Sequence, residues 1–182
     1  SIKLLNSIGF YQLNESRKFF QKNLDFYSID NPKLICDLNI SKFNSAKDKY
    51  TTIQRSALIE FLINKISKED IFYEHDISNI TIKENQIELF FSNKFSEKFD
   101  YLIIADGIFS NTRSFFEKKK NEPRFKKAIA ARVILKSKSE FDINDENISL
   151  MLGSNSNIVL YQINKKKELN MDYIMRCKKY IL

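Results

Sequence analysis

The apolar residues Ile2, Leu4, Leu5 and Ile8 have helical spacing and stop at Gly9, which predicts a short helix closed by a glycine. Leu24–Ile29 and Leu34–Ile40 read as two strands turned at Asn31-Pro32. From Arg55 to Ile66 the residues Leu58, Phe61, Leu62 and Ile66 form one stripe of an amphipathic helix, with Ser56 as its N-cap. The period then falls from 3.6 to 2. Ile80 and Ile82 alternate, Lys83–Gln86 turns the chain, and Ile87, Leu89 and Phe91 alternate again, which predicts a β-hairpin.

After a polar turn near Ser92-Asn93, the continuous apolar run Asp100–Ala105 predicts a strand buried on both faces. A short helix is expected from Ser110, carrying Phe115 and Phe116 inward and ending at Lys118–Lys120, where cations suit a helix C-terminus. Beyond Pro123 the pattern becomes all-β, with strands at Ala128–Leu135, Ile148–Leu152, Ile158–Ile163 and Leu169–Met175. The fold class is mixed α/β.

Composition narrows the function classes. The chain has 182 residues, 43% of them hydrophobic, enough for a core, and no apolar run long enough to span a membrane. Nor does the N-terminus follow the order of a secretory signal, so a cytoplasmic location is expected. Peripheral membrane contact is left open. Cys36 and Cys177 are far apart and without a second pair, which predicts reduced thiols and no metal site. The net charge of +7 is dispersed, and Lys118–Lys120 and Lys165–Lys167 fall at an expected helix end and turn. Because the sixteen Phe follow buried patterns for the most part, no nucleic-acid partner is expected. With glycine only at positions 9, 107 and 153, the chain contains no Gly-rich phosphate loop.

The densest chemistry lies at Tyr101–Arg113, where an apolar run delivers Asp106 and Gly107 ahead of a helix start. Open α/β sheets hold phosphate-bearing ligands at such strand ends. There Gly107 permits close backbone approach, Asp106 can accept hydrogen bonds from a ribose, and Arg113 can hold the loop or face a phosphate. An ordinary Asp-Gly turn, with Ser110 as a cap, is the competing reading. A cation at Arg55, in a first helical turn, opposes the macrodipole and favours an anionic partner. His75, the only histidine, has no identifiable catalytic partner in the sequence and is read as a surface or core residue.

The order Ala105-Asp106-Gly107, two residues, Ser110, two residues, Arg113 resembles the Asp-Gly motif of FAD-dependent aromatic-ring hydroxylases of the p-hydroxybenzoate hydroxylase type. Ile53–Leu58 is similar to the family's segment of an Arg, two residues and a Leu opening a helix. His75–Ile80 is similar to the strand whose backbone meets the adenine, at Ile77. Further likeness runs through Ala130–Ile134, Leu152-Gly153, Val159–Ile163 and Leu169-Asn170, although Gln162 stands where relatives place proline.

The resemblance implies a partial Rossmann-like FAD-binding domain with a β-meander over 1–123, residues 24–50 contributing to the substrate side, and part of a β-sheet substrate domain over 124–182. It implies FAD contacts at Arg55, Ile77, Asp106, Gly107 and Arg113, NAD(P)H as co-substrate and a small aromatic substrate, with ubiquinone-biosynthesis hydroxylases most alike. It also implies that the chain is an internal piece, inactive alone, with a Gly-rich βαβ unit before it and a Gly-Asp motif after it. A flavin-fold module without catalysis is the alternative.

Overall fold

The computed structural model describes residues 2–31, 33–117, 123–136 and 144–177. The chain divides into two compact units, one of residues 1–66 with 127–182 and one of residues 67–126.

The first unit is organised by a six-stranded sheet. Its strands are β2 (Asn23–Ser28), β3 (Leu34–Asn39), β8 (Ala128–Leu135), β9 (Ile148–Leu152), β10 (Ser156–Gln162) and β11 (Leu169–Arg176), in the spatial order β3-β2-β9-β10-β11-β8. All neighbours are antiparallel except β2 and β9, which run parallel from Leu24↔Ile148 to Ser28↔Leu152. A two-stranded ribbon, β1 (Lys18–Phe20) with β4 (Thr51–Ile53), leads into helix α2 (Arg55–Ile63). Helix α1 (Ile2–Ser7) ends at Gly9, whose φ of 91° is the left-handed value that glycine adopts freely. Leu160, Leu169 and Ile163 are buried in the sheet, while Phe10 meets Phe61 of α2 edge-to-face at 5.4 Å.

The second unit is a meander, β5 (Ile77–Lys83), β6 (Gln86–Phe91) and β7 (Ser96–Phe99), with Ile82 opposite Ile87 as the alternation predicts. Leu89 is buried in it, and His75 lies among Phe72, Phe91 and Phe95 at centroid distances of 5.2–6.1 Å.

Several expectations are corrected. Helix α2 stops at Ile63, not Ile66, and its N-cap is Gln54; Ser56 is already helical. Strand β4 runs straight into the helix, so the residue after the strand takes the cap position. The buried face is Ala57 with Phe61, while Leu62 and Ile66 are exposed. Residues 101–105 form no strand: the third meander strand is Ser96–Phe99, and Tyr101 and Ile103 are 89% and 90% exposed. A strand buried on both faces needs neighbours for its backbone groups, and no described strand pairs with this run.

The helix expected from Ser110 is a single 3-10 turn, Thr112–Phe115, and it leaves Phe115 and Phe116 exposed. Four residues cannot turn two adjacent side chains to one face. Its expected end at Lys118–Lys120 lies outside the described residues. Phe43, Phe72, Phe95, Phe99 and Phe109 are exposed as well, so the expectation that phenylalanine is mostly buried fails. The sheet strands of the C-terminal third agree with the sequence pattern to within two residues at each end.

Leu160, at 1% exposure, tests the core. Leu160→Ala should cost about 2–5 kcal/mol in chemical denaturation, and Ile103→Ser should stay within roughly 0.5 kcal/mol of the parent.

Candidate functional site

The loop after β7 is held by its own side chains. The Asp106 carboxylate accepts the backbone N–H of Thr112 at 3.4 Å, and the Ser110 hydroxyl accepts that of Arg113 at 3.0 Å. Hydrogen bonds from the side chains of Ser110 and then Thr112 hold the Asp106 carboxyl below its ordinary pKa. Gly107, at φ 87°, is the positive-φ residue of the turn, and a Cβ there would meet nothing within 4 Å, so its backbone is open on that side. The Arg113 guanidinium reaches back to the Gly107 carbonyl at 3.4 Å and lies 4.0 Å from Glu117.

A concavity in the same unit is lined by His75, Asp76, Ile77, Asp106, Phe109, Asn111 and Thr112. The structure thus brings Ile77 and Asp106 to one hollow, with Gly107 and Arg113 on the loop that borders it. Arg55 belongs to the other unit.

Arg55 is exposed at the start of α2 and lines a separate cavity of about 640 Å³ with Ile53, Gln54 and residues of β8, β10 and β11. The register sets Ile134, Asn170 and Tyr161 side by side on β8, β11 and β10, with Arg132 opposite Asp172 in the row two residues away. Arg132 pairs with Asp172, and that hydrogen bond holds the Asp172 carboxyl below its ordinary value. Burial pushes the Tyr161 phenol up, so it stays protonated at neutral pH.

Asn170 is 5% exposed; among the described residues no acceptor meets its Nδ2 at ordinary hydrogen-bond distance, and its side chain helps to hold the neighbouring Asp172 carboxyl below its ordinary value. A buried amide donor without an acceptor is uncommon and costly. Sequence reasoning placed Tyr161 and Asn170 only in strands. The missing signal was register, since alternation within each strand defines faces but not which residues of different strands adjoin. No metal-binding cluster of His, Cys, Asp and Glu occurs among the described residues.

Comparison with known proteins gives the fold. No family model matches the chain. A stretch of 61 residues, 34% of the chain, is 34% identical to a flavin-dependent monooxygenase of an unidentified prokaryote and covers 16% of that protein. HpxO of Klebsiella pneumoniae, solved with FAD and uric acid, superposes with a TM-score of 0.83 over 99% of this chain and 46% of its own length, at 10% identity. A salicylate hydroxylase with substrate gives 0.78 over 98% and 47% at 13% identity. The 2,6-dihydroxypyridine-3-hydroxylase of Arthrobacter nicotinovorans gives 0.74 over 97% and 45% at 13% identity.

The fold is that of the flavin-dependent hydroxylases. The chain spans slightly less than half the length of these structures.

The loop geometry makes a pH prediction. Because the folded pKa of Asp106 is depressed, its contribution to loop order is complete above the unfolded carboxylate pKa. It is lost as pH falls through the folded value. Ser110→Ala should raise the Asp106 pKa toward the ordinary range in a carboxyl ¹³C NMR titration, and an unchanged value would assign the shift to Thr112 alone.

Proposed function

We propose that the chain is an internal part of an FAD-dependent monooxygenase that hydroxylates an aromatic ring with NAD(P)H and O2. The observation that carries this reading is the fold, matched over nearly the whole chain to several flavoprotein hydroxylases. The flavin, when bound, supplies the electron transfer from NAD(P)H to oxygen, and the protein's part is to bind and orient.

The residues present fit a portion of FAD. Asp106 is ionised at neutral pH, so it is an acceptor for a ribose hydroxyl. Gly107 leaves its backbone open to a ligand, Ile77 borders the same hollow, and Arg113 holds the loop. Arg55 is an exposed cation that a phosphate or a ring carbonyl of the cofactor would complement. A pyrophosphate cradle cannot be built from Gly9, Gly107 and Gly153.

The cavity beside Arg55 suits a planar ring bearing an acceptor. Ile53, Val133, Ile134 and Ile163 give it apolar walls, while the Asn170 amide and the Tyr161 phenol supply donors. Phenolic precursors of ubiquinone are the first substrates to try, on the sequence likeness.

The test uses full-length protein and compares Asp106→Ala with Asp100→Ala, which sits in a bend six positions upstream. Asp106→Ala should weaken FAD binding about tenfold by fluorescence titration, whereas Asp100→Ala should leave it within about twofold. Equal affinities in both variants would reduce Asp106-Gly107 to an ordinary turn. Full-length protein that holds no FAD would favour the module without catalysis.

A further inference from the structure

Lys18 is 3% exposed, and among the described residues no carboxylate lies within ion-pair distance of its ammonium. The Nζ donates to the carbonyls of Phe10 at 3.3 Å and Tyr11 at 3.1 Å. An ammonium has three N–H donors, which leaves one without a protein acceptor. The same Nζ stands 5.3 Å from the Phe10 ring centroid and 5.9 Å from that of Phe20. Lys49 places its own Nζ 5.0 Å from the Phe20 centroid, so two cations share one ring.

The nearby acids are engaged elsewhere. Glu15 pairs with Lys165 at 2.5 Å, and Asp48 accepts from Asn6 at 3.0 Å and from Ser45 at 3.3 Å. Burial lowers the Lys18 pKa, with Glu15 opposing the shift.

These groups wall a cavity of about 540 Å³ beside α1 and β1. A buried cation is costly unless paired, and ring faces compensate it only in part.

We propose that this cavity binds a small organic anion, whose carboxylate or phosphate group lies between Lys18 and Lys49 and whose apolar body packs on Phe10, Tyr11 and Phe20. The site shares no lining residue with the Arg55 cavity or the Asp106 hollow. It does not depend on the flavin reading. Lys18 supplies the N–H that its two carbonyl partners leave over, the exposed Lys49 adds the second charge, and the aromatic wall selects a ring over a bare ion.

Isothermal titration of the full-length protein with benzoate and with phenyl phosphate tests the site, with acetate as the ring-free control. Saturable binding of at least one aromatic anion is expected, tighter than acetate, and weakened about tenfold in Lys49→Ala and more in Lys18→Met. The preferred probe distinguishes a carboxylate ligand from a phosphate ester. Lys49→Ala alters an exposed side chain, so it remains informative if Lys18→Met fails to fold. No saturable binding of either aromatic anion, or equal affinity in the parent and Lys49→Ala, would overturn the proposal.

Discussion

The parallel pairing of β2 with β9 is the constraint on which the first unit depends. These strands are remote in sequence yet adjacent in mid-sheet, with the β2–β3 hairpin on one side and the antiparallel set β9-β10-β11-β8 on the other. Without this ladder the sheet separates into those two pieces. Closing so long a loop costs entropy, and the ladder is tied beyond both ends. Lys22 N–H donates to the Glu146 carbonyl at 2.9 Å, and Ile29 N–H to that of Leu152 at 3.0 Å. The Asn147 amide adds a buried hydrogen bond to Asp25 at 2.7 Å. That last contact gives the buried Asp25 side chain a polar partner.

A second buried polar contact carries this order to the Arg55 cavity. The Gln21 amide reaches the Thr52 hydroxyl at 3.1 Å and the Gln162 carbonyl at 2.8 Å, and Thr52 donates to that same carbonyl at 2.5 Å. Strand β4 is thereby pinned to the end of β10. Ile53, Gln54 and Arg55 follow Thr52 immediately, so their position over the Tyr161–Asn170 row follows from side-chain bonds made one residue earlier. Gln162, the departure from the proline expected by resemblance, is the residue whose carbonyl accepts both bonds, and its own amide donates to Asn164 at 2.7 Å.

Legibility in the sequence tracked locality. Period-2 alternation placed the meander hairpin and the four strands of the C-terminal third, because alternation is a property of each strand by itself, whichever strand it then joins. The β2–β9 pairing was not legible, since nothing local to Leu24 or Ile148 states which strand it joins. The face of α2 was misjudged for a related reason. Leu58, Phe61, Leu62 and Ile66 form a legitimate stripe, but the helix turns toward Phe10 and buries Ala57 with Phe61 instead. At the candidate sites, the Asp106-Gly107 loop was visible because its hydrogen bonds span only a few residues. The Asn170 donor and the Lys18 ammonium were invisible, because how a buried polar group is partnered is a property of the packed structure.

The apolar run 101–105 shows why hydrophobicity alone does not make a strand. Its side chains favour burial, but its N–H and C=O groups need partners, and water supplies those partners at less cost than a dry surface without a neighbouring strand. The loop that follows keeps its shape regardless, since Asp106, Ser110 and Thr112 satisfy one another inside a seven-residue segment. The carboxylate is therefore ionised and oriented by local bonds, while the strand expected to deliver it has not formed. A ligand that engaged Asp106 would meet an acceptor already in place. Whatever ordering the run 101–105 undergoes would then be coupled to pairing with another strand and not to the charge at its end.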